Sequence, residues 1–180
     1  MVRKYYKCNN SDKYGLYSLD GSELIPINYR QIAFLAHNLL SIQGSDGKFM
    51  IFNSKGICVN NEHFDAVFDF GKPQKKKDFS FDIPKDIENP LYAIVQKNGL
   101  FGTINALGAT EMYPKYKELY CVTRNVFCAN GTNIDSRGLK VAYSEDKLVH
   151  IPDEYTSGEL LENGLVLVQE YNRYGCINQI

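Results

Sequence analysis

The side chains able to do chemistry are few in this sequence, and they are scattered. Its 180 residues hold five cysteines (Cys8, Cys58, Cys121, Cys128 and Cys176) and three histidines (His37, His63 and His150). A structural zinc site is built from paired thiolates or imidazoles at short spacing. No Cys-x-x-Cys pair occurs, Cys121 and Cys128 stand seven apart, and the histidine that follows them is His150. The spacings give no metal-ligand set and imply no cofactor. The thiols read as ordinary buried or half-buried side chains of a reducing compartment. Carboxylates are equally dispersed: Asp65 and Asp69 lie near each other in sequence, but acid–base work at a glycosidic bond needs two carboxylates held at a set separation. There is no His-Glu-x-x-His, no Gly-x-Ser-x-Gly and no phosphate-cradling glycine loop, so no nucleophile arrives with its base. No catalytic residue is named, and the expectation is a chain that is not an enzyme.

One non-repetitive segment offers binding chemistry. Between Phe70 and Pro90 stand Lys75, Lys76 and Lys77, followed by Phe79 and Phe81 at alternate positions. Three lysines beside spaced aromatics suit a phosphate-bearing partner or a protein surface; a solvated loop is the competing reading. Lys plus Arg is 20 against 21 Asp plus Glu, a net charge of −1, which argues against a generic nucleic-acid binder. A protein partner is expected, with a small molecule as the alternative and nucleic acid contact through Lys75–Lys77 as a weaker one.

The elements that must position these groups are strands. Hydrophobic residues are 44% and charged residues 23% of the chain, which fits a folded domain or an array of small units rather than disorder. No apolar run reaches about 18 residues, and the opening ten residues lack a signal-peptide core, so a cytoplasmic, non-membrane location is expected. No long stretch has helical periodicity. Short runs such as Leu39–Gln43, Tyr92–Gln96 and Leu165–Gln169, bounded by Asn-Gly, Asp-Gly or Gly, predict strands of about five residues.

The runs recur in one context. Tyr14-Gly15 precedes Leu16, Tyr174-Gly175 precedes Cys176 and Phe101-Gly102 precedes Thr103-Ile104, and Phe49-Met50 holds the same place; a degenerate copy runs from Asn130 to Gly138. After the strand–turn–strand comes an apolar-Pro-x-(x)-Tyr segment ending at Tyr29, Tyr116 or Tyr155, with Phe64 at the corresponding position. Proline there marks a strand end or edge. From Tyr29 to Phe64 is 64 − 29 = 35, from Phe64 to Tyr116 is 116 − 64 = 52, and from Tyr116 to Tyr155 is 155 − 116 = 39. Removing an insertion of about 17 around residues 70–90 restores one period near 35–40, which points to solenoids or propellers.

This order of features resembles the WG-repeat (KWG-repeat) family, whose units read roughly Asn-Gly-Lys-Trp-Gly-Tyr-Ile-Asp, then Gly, then Ile-Pro-x-x-Tyr. Trp is absent here, and Tyr or Phe fills its slot. The resemblance spans residues 1–180 as about five units, the terminal ones incomplete. It implies an all-β repeat of short antiparallel meanders, propeller-like or an open β-solenoid. It also implies a non-enzymatic protein–protein interaction module. The alternative is a small-ligand binder using a central pocket or inter-unit cleft. The aromatic-Gly pairs read as packing between neighbouring units rather than as a ligand-stacking series.

Overall fold

The computed structural model describes residues 12–70, 90–144 and 147–178, with the backbone of residues 6–10. Lys75, Lys76, Lys77, Phe79 and Phe81 lie outside the described residues. The fold is all-β. Among the described residues there are nineteen strands and no helix, hence no helix long and apolar enough to cross a membrane.

The strands form small antiparallel sheets laid down in chain order. The first holds β1 (Tyr6–Asn10), β2 (Lys13–Tyr17) and β3 (Glu23–Tyr29). The second holds β4 (Gln31–Phe34), β5 (Leu39–Gln43), β6 (Phe49–Asn53) and β7 (Cys58–Phe64). The third holds β8 (Ala66–Val67), β9 (Tyr92–Lys97), β10 (Leu100–Asn105) and β11 (Thr110–Tyr116). The fourth holds β12 (Leu119–Cys121), β13 (Val126–Ala129) and β14 (Thr132–Asp135), beside a hairpin of β15 (Val141–Tyr143) and β16 (Leu148–His150). The last holds β17 (Ser157–Leu160), β18 (Val166–Glu170) and β19 (Arg173–Ile177). Among the described residues each sheet has a linear strand order and none closes into a barrel.

Turn chemistry explains why the meanders form. Asn98-Gly99 and Asn130-Gly131 join β9 to β10 and β13 to β14 as two-residue hairpins, with φ of 53° and 76°, and of 49° and 84°. Both central residues of this tight turn need positive φ, which Asn tolerates and Gly adopts freely. The turns that leave β6, β10 and β14 use a second device. Asn53 Oδ1 accepts from the amides of Lys55 and Ile57, Asn105 Oδ1 from those of Leu107 and Ala109, and Asp135 Oδ1 from those of Arg137 and Leu139, all at 2.9–3.2 Å. One side-chain oxygen thereby holds two amides that would otherwise lack partners.

The last strand of each of the first three sheets (β3, β7 and β11) joins in one register. In the first three sheets Tyr14 pairs with Tyr29, Phe49 with Phe64 and Phe101 with Tyr116; two residues further on, Leu16 pairs with Ile25, Ile51 with Asn60 and Thr103 with Met112. Two residues on β2, β6 or β10 thus face four on β3, β7 or β11, a bulge that Pro26 and Pro114 occupy in β3 and β11 without costing a ladder hydrogen bond. The bulge brings backbone onto the aromatic-Gly glycines. A Cβ on Gly15 would stand 2.8 Å from Ile25 O, and one on Gly102 would stand 2.3 Å from Met112 O.

Apolar residues collect in four clusters rather than one core. Leu16 and Ile25 meet Ile32, Leu40 and Ile42 of the next sheet. Leu39, Ile51 and Phe64 meet Ala93, Val95 and Ile104. Ile94 and Met112 meet Leu119, Phe127 and Ile134. Ala142 and Ile151 meet Val166 and Val168. Every cluster spans two successive sheets, so no sheet buries its apolar face alone.

The fourth sheet departs from the expected pattern. Lys140 bridges Ile134 as Thr110 pairs with Ile104, but the chain then leaves as the β15–β16 hairpin. Ile151-Pro152-Asp153-Glu154-Tyr155, expected to repeat the fourth-strand segment, is not a strand. The Tyr155 amide turns back onto Pro152 O at 3.2 Å, and Lys140 Nζ donates to the carbonyls of Asp153 and Tyr155 at 2.8 and 2.6 Å. From Gly138 to Tyr155 is 155 − 138 = 17 residues, against 116 − 108 = 8 in the third sheet. The nine extra residues accommodate the hairpin and displace the proline segment from the ladder.

Candidate inter-unit groove

The aromatics singled out by the sequence come together in pairs and face inward. Tyr14 with Tyr29, Phe49 with Phe64, and Phe101 with Tyr116 are cross-strand neighbours, and all six belong to or pack on the inter-sheet clusters. Tyr29 meets Phe52 edge-on at 6.3 Å between ring centres. These rings are packing groups, with no open face arranged as a stacking ladder. Tyr155 packs on the last cluster from its turn, whereas Tyr174 and Gly175 on β19 are exposed.

A concave surface lies between the second and third sheets, where β7 meets the turn into β11. The bulge places Asn60 at its floor, 8% exposed, where its Nδ2 donates to Gly108 O (2.9 Å) and Thr110 Oγ1 (3.0 Å) and its Oδ1 accepts from the Glu62 amide (2.9 Å). A buried amide so satisfied fixes one sheet against the next. Gly108, at φ 83°, lies so close that a Cβ there would meet Val59 Cγ2 at 2.6 Å.

Two neighbouring depressions, of about 380 and 270 Å³, lie here, the first with Asn60 and Thr110 in its lining. Val59, Asn60, Asn61, Ala109 and Thr110 line the first, and Lys97, Asn98, Leu100 and Pro114 line the second; Glu62 and Tyr113 belong to both. Glu62 and Lys97 form an ion pair across the sheets, and Tyr113 rises between the depressions with 68% of its surface exposed. Behind them Asp65 pairs with Lys48 and accepts from the Asn98 amide at 2.6 Å. The Lys48 hydrogen bond, opposed by partial desolvation and aided by that amide, holds the Asp65 carboxyl below its ordinary pKa. The arrangement offers a fixed polar floor, a paired-charge wall and one exposed ring.

A second polar cluster braces the fourth sheet. Asp135 is 7% exposed; its Oδ2 accepts from Arg137 Nε at 3.0 Å and lies 3.0 Å from His150 Nε2. Burial disfavours the charge, but the hydrogen bonds from His150, the Leu139 amide and Arg137 outweigh it, and the carboxyl sits below its ordinary pKa. Those bonds tie the turn to β16.

Among the described residues no group of three or more His, Cys, Asp or Glu side chains is placed to hold a metal ion. Cys121 and Cys128 are buried and Cys58 half-buried as expected, and burial pushes the Cys121 thiol up to about 12. Cys176 departs from the expectation: it lies exposed on β19. Sequence reasoning missed Asn60, Glu62, Lys97 and Tyr113. A signal existed for Tyr113, since period-two alternation from the buried Met112 points it outward. The pairing of Glu62 with Lys97 had none. No protein-family model matches the chain, and no curated protein matches it.

Proposed function

We propose that the chain is a non-enzymatic protein–protein interaction module, a WG-repeat-like array of meanders that receives its partner in the groove between the second and third sheets. The observation that carries this reading is the pair of open depressions meeting at Tyr113. An exposed tyrosine beside a paired charge and a satisfied amide floor is the composition of an interface anchor, because the ring supplies area at low entropic cost and its hydroxyl tolerates water. A small-molecule site would enclose most of its ligand, and these depressions are open to solvent. The array reading draws on the shared register of the first three sheets and on clusters that always span two successive sheets. Such units rely on neighbours for stability and present a broad lateral surface. Affinity capture at physiological salt tests the reading with wild type and Tyr113→Ala in parallel. Wild type is expected to retain a protein partner, and Tyr113→Ala to weaken it about 30-fold, the loss of a roughly 2 kcal/mol anchor. No retained protein, or the same retention by the variant, refutes it.

A further inference from the structure

Three Asn-Gly pairs occur in the chain, at 98–99, 130–131 and 163–164. Asn-Gly is prone to internal attack, because glycine puts no side chain beside its own nitrogen. That nitrogen can add to the preceding carboxamide carbon and expel ammonia. All three asparagines are exposed, so solvent access does not separate them. Two of the pairs share a backbone as well. Asn98-Gly99 and Asn130-Gly131 are the same two-residue hairpin, with φ of 53° and 76°, and of 49° and 84°. Opening the turn far enough for attack therefore costs the two about the same.

The surroundings of the side chains do separate them. Asn130 Oδ1 accepts from the Glu118 amide at 3.0 Å, and Asn163 Oδ1 accepts from the Leu165 amide at 3.0 Å. The Gly164 amide is engaged too, donating to Leu161 O at 2.9 Å. Among the described residues no hydrogen bond holds the Asn98 carboxamide. Asn98 belongs to the wall of the second depression, with Glu62, Lys97 and Tyr113. The carboxylate of Asp65 meets this turn instead. Its Oδ2 accepts from the Asn98 amide at 2.6 Å, and it accepts from the Gly99 amide as well. The proton that must leave Gly99 is thus already bonded to a base, whereas that of Gly164 lies on a carbonyl.

We infer that Asn98-Gly99 is a site of spontaneous modification in the folded chain, deamidating ahead of the other two Asn-Gly pairs. The Gly99 nitrogen gives up its proton and bonds to Asn98 Cγ; the Cγ–Nδ2 bond breaks, and the departing nitrogen takes a proton and leaves as ammonia. Water then opens the five-membered imide at either carbonyl. One product is aspartate; the other, isoaspartate, carries the main chain through the former side chain. Overall one water enters and one ammonia leaves, with no oxidation or reduction. Either product adds a negative charge where Asp65 and Glu62 already supply two, each paired with a lysine. Isoaspartate also lengthens the main chain inside a turn set by two positive φ angles, which breaks the amide bonds to Asp65. The modification does not depend on what the groove receives.

The test incubates the whole native chain in mildly alkaline buffer and follows each Asn-Gly pair by peptide mass spectrometry, with isoaspartate counted by enzymatic methylation. Asn98 is expected to convert at least about fivefold faster than Asn130 or Asn163, the rate equivalent of one hydrogen bond withheld from the side chain. In concentrated urea the three pairs are expected to convert at matching rates, because only the fold distinguishes them. Asn98→Gly keeps positive φ accessible at 98. This variant is expected to melt as wild type does by circular dichroism and to lose the anion-exchange shift that aged wild-type protein develops. Asp65→Asn is expected to slow conversion at 98 and leave 130 and 163 as they were. Equal rates at the three pairs in the native chain, a faster Asn130 or Asn163, or the same ranking in urea overturns the inference. An undiminished rate at 98 in Asp65→Asn overturns the role given to Asp65.

Discussion

The glycine after each repeat aromatic shows how one residue type serves different ends. At Gly102 the missing side chain makes room for Met112 O, 2.3 Å from where a Cβ would sit. Gly102→Ala is therefore expected to cost about 3 kcal/mol through overpacking against backbone that cannot yield. Gly175→Ala is expected to stay within about 0.5 kcal/mol of wild type. Urea midpoints of the two variants check the contrast; equal midpoints would contradict the shared register. Asp135 carries a charge-dependent prediction. Its folded pKa is lowered, so its contribution is complete above the unfolded value of about 4 and is lost as pH falls through the folded value. Thermal melts from pH 6 to 2 are expected to show a shallower acid decline in Asp135→Asn than in wild type. The decline should persist in part, because Asp20, Asp46 and Asp65 are lowered as well.

At the scale of elements, the turns set the strands. Asn105 Oδ1 holds the amides of Leu107 and Ala109, and Gly108 supplies the positive φ that returns the chain. Asn105→Ala is expected to lower stability by about 1 kcal/mol, and Asn105→Asp to lose less, because it keeps the two amide bonds that Asp135 makes but forfeits the donation from Nδ2 to Glu111 Oε2. Denaturant unfolding of both variants decides this; equal losses would show that the carboxylate cannot replace the amide. Much of this scale was legible in the sequence. Leu39–Gln43 forms a strand with the predicted ends, and the Asn-Gly pairs at 98 and 130 are hairpins. The β15–β16 hairpin was not legible, because Ile151-Pro152 followed by Tyr155 fits a strand edge and a turn equally well. Proline removes one donor and fixes one angle, and neither says which neighbour the segment will meet.

For the molecule as a whole, four clusters between successive sheets replace a single core, and cooperativity is expected to be local. Val168 is 2% exposed in the cluster joining the last two units. Val168→Ala removes about 2 kcal/mol from that cluster alone. Hydrogen exchange is expected to accelerate across residues 157–177 and to stay as in wild type across residues 31–64. Uniform acceleration would mean one cooperative unit and would count against the array. The candidate groove belongs to this scale too. Asn60 and Gly108 are 48 residues apart in sequence, with the 70–90 insertion between them, and only the stacking of two sheets makes them neighbours.

By itself the sequence determined what local chemistry decides: strands rather than helices, the places where the chain reverses, the recurring order of strand, turn and proline segment, and the lack of metal-ligand spacing. Each follows from residues a few positions apart, through φ preferences, side-chain hydrogen bonds to nearby amides and alternation along a strand. Only the tertiary structure decided that Tyr14 faces Tyr29, Phe49 faces Phe64 and Phe101 faces Tyr116, and that Tyr113 stands in a groove. Those depend on bulge register and on which sheet packs on which, and neither is encoded in spacing along a single strand.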